Sequence, residues 1–148
     1  MTSQLPAVVT LLTLLLMFYT VFIVGKARER YGIKAPSISG DPQFERAWRV
    51  QMNTLENAVM FIPALWLAAQ YVDPLWAGIA GMVWLVGRVW YAVAYLRDPT
   101  RRGPGYIVSM VAWGALMLMA AGGMGMAIME NSSANAAQAE DASGDGQS

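Results

Sequence analysis

Arg49, Asn53 and Glu56 stand four and three residues apart along the chain. Residues at those offsets share one face of a helix, so a guanidinium, an amide and a carboxylate fall on a single stripe. Glu45 extends the stripe by a turn, and Gln51 lies to its side. A second stripe, Arg88, Tyr91 and Tyr95, repeats at three and four residues. The arginine fork suits a carboxylate. The glutamate accepts from an ammonium, and the amides of Asn53 and Gln51 both donate and accept. Each tyrosine adds an apolar body with a hydroxyl tip. The inventory fits a small zwitterion with carboxylates, an ammonium and amides. Spacing alone does not choose between a shared polar pocket and an Arg–Glu pair that cements two helices.

A further pair, Arg101 and Arg102, precedes the last apolar run. A guanidinium held beside a thiol stabilises the thiolate, which is the nucleophile. Interfacial arginines also anchor lipid headgroups, and that reading needs no ligand. The chain has no Cys and no His. Disulfides, thiolate nucleophiles, thiolate metal sites and imidazole acid–base chemistry are therefore excluded, and no metal is expected.

These residues are carried by membrane-type elements. Hydrophobic residues make up 56% of the 148-residue chain and charged ones only 14%, against about 25% charged in soluble domains. One compact domain is expected. Residues 5–24 carry no charge, and about 20 such residues cross a bilayer core. Lacking a basic amino-terminal region, this run reads as a first span and not as a cleaved signal. A second helix is predicted over 44–71, polar in its first half, apolar in its second, and bent at Pro63. Spans over 75–96 and 106–129 follow. Gly114, Ala121, Gly122, Gly123 and Gly125 in the last span suit close helix approach. Residues 131–148 read as a disordered acidic and polar tail. The fold class is all-α: an integral membrane four-helix bundle, left-handed and up-down.

All ten Lys and Arg lie between Lys26 and Arg102, and only Arg88 falls outside the first and third connections and the helix ends that meet them. The positive-inside tendency then places those connections in the cytoplasm and both termini outside. No outward basic belt points to nucleic acid.

The run Phe44-Glu45-Arg46-Ala47-Trp48-Arg49-Val50-Gln51-Met52-Asn53-Thr54-Leu55-Glu56 resembles the signature of the MAPEG family, the membrane-associated proteins of eicosanoid and glutathione metabolism. The run Gly87-Arg88-Val89-Trp90-Tyr91-Ala92-Val93-Ala94-Tyr95 resembles the family's third-span motif. Span order, the position of Pro63 and the arginine-rich third connection agree, so the resemblance covers roughly residues 5–128.

The resemblance implies a bacterial microsomal-glutathione-transferase-like member in the inner membrane. It implies a homotrimer that binds glutathione as co-substrate between subunits, near the cytoplasmic face. Arg49 is then the carboxylate ligand, Asn53 and Glu56 hold the peptide, and Tyr91 and Tyr95 line the site. Gln51 and Arg28 resemble contacts from the adjacent subunit. Arg102, with Arg28 as the second candidate, is the group that activates the thiol. Asn57 replaces a tyrosine found in several eicosanoid-forming members, and Gly103 replaces a serine of the prostaglandin-isomerising ones. The implied activity is therefore glutathione transfer or peroxide reduction on lipophilic electrophiles drawn from membrane lipid. A non-catalytic lipid-binding scaffold on the same fold is the alternative. A small transporter lacks support, because no inverted internal repeat is visible.

Overall fold

The structure, a computed structural model, describes residues 4–144, with side chains to residue 138. Four helices follow one another: α1 (Leu5–Tyr31), α2 (Pro42–Tyr71), α3 (Pro74–Arg97) and α4 (Gly103–Gly144). A 3-10 turn, Pro99–Arg102, leads into α4. The all-α bundle expected from the sequence is what forms.

Local chemistry sets the boundaries. Helix α1 stops where Gly32 enters the left-handed region at φ 64°, a conformation that costs glycine nothing. Helix α2 starts at Pro42 behind Asp41, whose carboxylate accepts from the Gln43 amide at 2.8 Å. Helix α3 starts in the same way behind Asp73, which accepts from Leu75 and Trp76 at 2.8 and 3.1 Å. In both cases an N-cap carboxylate satisfies orphan amides and proline supplies a pre-set first turn.

Helix α1, helix α3 and the segment that contains α4 are long and apolar enough to cross a membrane. Helix α2 falls short on composition, because Glu45, Arg46, Arg49 and Glu56 occupy its first half. The chain is an integral membrane protein whose second helix is polar at one end. The basic connections share that end.

Helices α2 and α3 pack together at the centre. Helix α1 lies against both on one side and α4 against both on the other. Phe61 of α2 stacks on Trp84 of α3 with ring centroids 3.7 Å apart and planes within 1°. Val9, Leu65 and Leu116, all fully buried, close the core around that pair.

The glycines of closest approach differ from those expected. Gly114, Gly122 and Gly125 face open space, and of the predicted glycines only Gly123 meets a neighbour, the Tyr71 backbone and Val72. The tight crossing lies at the start of α4. A Cβ on Gly105 would fall 2.5 Å from the Tyr91 nitrogen, and one on Gly87 would fall 2.8 Å from the Ser109 nitrogen. Helix α4 runs from Gly103 to Gly144, beyond the end of its apolar run at Met129. Ala134, Ala136 and Ala137 are strong helix formers, and residues 130–138 are exposed on every side. Residues 145–148 of the expected tail lie outside the described residues.

Candidate functional site

A cavity of about 580 Å³ opens at the basic end of the bundle. Helix α2 supplies Glu45, Trp48, Arg49, Met52, Asn53 and Glu56, the residues of one face. Helix α3 contributes Tyr91 and Tyr95, the turn before α4 contributes Arg102, and the first connection adds Ile38 and Ser39. The two stripes read from the sequence thus meet in one opening, joined by Arg102.

Arg49 and Glu56 are both exposed, and neither forms an ion pair; the single ion pair among the described residues is Arg101 with Asp98 at 3.4 Å. The cement reading of this arginine and glutamate therefore does not describe the bundle. Both charges stand ready for other partners, on a helix whose continuation is apolar.

Asn53 is held from behind. Arg88, fully buried, donates from Nη2 to Asn53 Oδ1 at 3.1 Å and to Thr54 Oγ1 at 3.3 Å. Asn57 donates to the Asn53 carbonyl at 2.8 Å. With its side-chain oxygen engaged by Arg88, Asn53 keeps its NH₂ to offer as a donor to a carbonyl or carboxylate in the cavity it lines. The Arg88 guanidinium also lies 4.3 Å from the Tyr91 ring centroid. Its Nε and Nη1 have no protein partner. The sequence reading placed Arg88 on the stripe with the tyrosines. Its position behind the site follows from one fact: it shares a helix face with Tyr91 but points at α2.

Tyr91 sits between Tyr95 and Tyr106, with centroids 5.6 and 6.3 Å away. The Gly87 and Gly105 crossing brings these rings together, since any side chain there would push α4 off α3. Arg102 lies over the Tyr95 ring at 5.4 Å. The turn that carries it is fixed by Asp98, which accepts from the Thr100 hydroxyl at 2.7 Å and the Thr100 amide at 3.0 Å. Those two bonds hold the Asp98 carboxyl below the usual carboxylate range, with a smaller contribution from nearby Arg101.

Two anticipated residues lie off this cavity. Gln51 is half-buried on another face of α2. Arg28 donates to the Ser37 carbonyl at 2.9 Å and stacks near Phe44 and Trp48, at 4.8 and 5.6 Å. It thereby folds the first connection back so that Ile38 and Ser39 reach the cavity. Sequence reasoning missed Trp48, Met52, Ile38 and Ser39. Met52 could have been found by continuing the Arg49 stripe, whereas the loop residues depend on a fold-back that no local pattern encodes.

A family model described as the MAPEG family matches residues 6–122. An uncharacterized protein of Synechocystis is 43% identical over 107 residues, covering 72% of this chain and 78% of its own. Human microsomal glutathione S-transferase 2 is 33% identical over 128 residues, covering 86% and 87%. Rat leukotriene C4 synthase is 36% identical over 123 residues, covering 82% and 81%. The polar stripe inside an apolar bundle, the tyrosine pair and this extent of match lead to one conclusion: the chain belongs to the MAPEG family.

Proposed function

We propose that the protein is a membrane-bound glutathione transferase, conjugating or reducing lipophilic electrophiles with the glutathione thiolate. One observation carries the reading: Arg49, Asn53, Glu56, Tyr91, Tyr95 and Arg102 line a single cavity at the basic end of the bundle. The similarity to a microsomal glutathione transferase and a leukotriene C4 synthase supports it.

In this reading the Arg49 fork takes a glutathione carboxylate and Glu56 accepts from its ammonium. The Asn53 NH₂ donates to the peptide, and the tyrosines flank it. Arg102 stands over Tyr95, where its charge favours ionised sulfur. The free thiol has a pKa near 8.5, and lowering it to about 6.5 requires roughly 2.7 kcal/mol of preferential thiolate stabilisation. The thiol proton leaves to water. The sulfur lone pair forms a bond to the electrophilic carbon, and the electron pair of the broken bond departs with the leaving group. With a hydroperoxide, the thiolate attacks the terminal oxygen and the O–O bond breaks to release the alcohol. A second glutathione then displaces water from the resulting sulfenic acid, so that two glutathiones are oxidised to the disulfide as the peroxide is reduced. The basic end faces the cytoplasm, which supplies glutathione, and the apolar reactant arrives from the bilayer.

Exposed Arg49 and Glu56 beside an apolar span are costly against lipid. A homotrimer resolves this, with the open α2 face meeting a neighbour that brings Gln51 and Arg28 to the same site. The test is conjugation of a generic aromatic electrophile by purified protein, beside Arg49→Ala and Arg102→Ala. Arg49→Ala is expected to raise KM for glutathione ten- to a hundredfold, the scale of a lost charge-assisted bond. Arg102→Ala is expected to lower kcat at neutral pH and move the acidic, ascending limb of the pH profile from about 6.5 up toward about 8.5. Wild-type values in both variants would remove the assignment. A wild type that neither turns over nor binds glutathione would leave the lipid-scaffold reading.

A further inference from the structure

A second groove lies on the opposite edge of the bundle, between α1 and α3. Its wall on α1 is Leu12, Leu15, Tyr19 and Ile23, and its wall on α3 includes Val89 and Val93. Both sets recur at three or four residues, so two helical faces meet along a seam. The void measures about 380 Å³, and its only hydroxyls are those of Tyr19 and Thr20. The Thr20 hydroxyl is already spent on the Met17 carbonyl at 2.7 Å. From Leu12 to Ile23 the seam rises about 17 Å.

At Ile23 and Leu96 the groove runs into a second, polar hollow of about 570 Å³. There α1 presents Lys26 and Arg30, four residues apart, with Gln43 of α2 beside them. Glu29 shares this mouth, so two cations face one carboxylate. Neither cation is in an ion pair; Lys26 sits 4.8 Å from the Phe22 ring and Arg30 5.6 Å from the Tyr31 ring. No residue of the groove or its mouth lines the cavity of Arg49 and Arg102.

We infer that this seam is a binding site for an anionic glycerophospholipid. One acyl chain lies in the α1–α3 groove, and the headgroup phosphate sits between Lys26 and Arg30. Charge complementarity and the direction of the groove select this occupant. An uncharged slot that runs along two membrane helices and ends in unpaired cations at the basic end has the polarity profile of one leaflet lipid. A second copy of the chain seated on this edge is the competing occupant, and the cross-linking arm of the test separates the two.

Spin-labelled lipids test the inference on full-length protein in phosphatidylcholine vesicles. Labelled phosphatidylglycerol is expected to associate about fivefold more tightly than labelled phosphatidylcholine, the effect of one net basic charge near the headgroups. The double variant Lys26→Gln, Arg30→Gln, which leaves Glu29 alone at the mouth, should bring that preference to one or below. Arg49→Gln with Arg102→Gln, which removes two charges from the cavity on the other edge, should leave it unchanged. Val89→Trp, at an exposed groove position, should abolish the immobilised phosphatidylglycerol signal while helicity is retained. A preference that survives the Lys26→Gln, Arg30→Gln variant, or falls equally with Arg49→Gln, Arg102→Gln, would overturn the site. So would a Leu15→Cys variant that cross-links two copies while the lipid label is excluded.

Discussion

Arg88 is the residue whose role is least apparent from its type. A cation buried in the core without a carboxylate is held by two hydrogen bonds, to Asn53 and Thr54, and by the face of Tyr91. Replacing a buried ion pair with apolar groups of similar size is often neutral or stabilising, and Arg88 carries the desolvation cost without the paired carboxylate. We therefore expect Arg88→Met to retain or raise thermal stability, read by circular dichroism in detergent. Glutathione affinity should nevertheless drop about tenfold, because Asn53 loses the partner that aims its amide. Loss of fold in Arg88→Met would assign the arginine to structure alone. At this scale much was legible in the sequence. The offsets of Arg49, Asn53 and Glu56 place them on one face, and the tyrosine spacing does the same on α3. What the spacing left open was whether Arg49 and Glu56 consume one another, because side-chain direction depends on packing partners.

At the scale of elements, the site depends on how α3, the 3-10 turn and α4 are joined. The crossing at Gly105 leaves no room for a Cβ, whereas Gly114 faces open space. Gly105→Ala should cost about 1–3 kcal/mol through overpacking and lower activity with it. Gly114→Ala should be neutral or stabilising by up to about 1 kcal/mol. Thermal unfolding of the two variants checks the contrast. Composition marked α4 as rich in small residues but could not say which of them met a backbone, because that depends on helix rotation. The turn before α4 is pinned by Asp98, whose carboxyl is held below its ordinary range by Thr100. A depressed folded-state pKa contributes order that is present above the unfolded value and lost as pH falls through the folded one. Thr100 amide protection should therefore hold through neutral pH and fail on acidification below about 4. In Asp98→Ala it should be absent throughout. Protection that is independent of pH in the wild type would show that the turn is held by something else.

At the scale of the molecule, the long uncharged runs and the clustering of every basic residue between Lys26 and Arg102 made a multi-span membrane bundle readable from the sequence. Where helix α4 ends was not readable from the end of its apolar run at Met129, since alanines further along favour helix without being apolar enough to extend the span. The fold-back of the first connection was equally hidden, because it rests on Arg28 reaching the Ser37 carbonyl nine residues ahead. The bundle that results has two distinct edges. One exposes Arg49, Glu56 and a polar cavity, and the other carries an apolar slot below Lys26 and Arg30. The central claim concerns the first edge: its charges exist to hold glutathione. Titration calorimetry of the purified protein with glutathione, beside Arg49→Ala with Glu56→Gln, tests it most directly. The wild type should bind saturably, and the double variant should bind at least a hundredfold more weakly with its helicity unchanged. Equal affinity in both proteins, or no saturable binding by the wild type, would contradict the account.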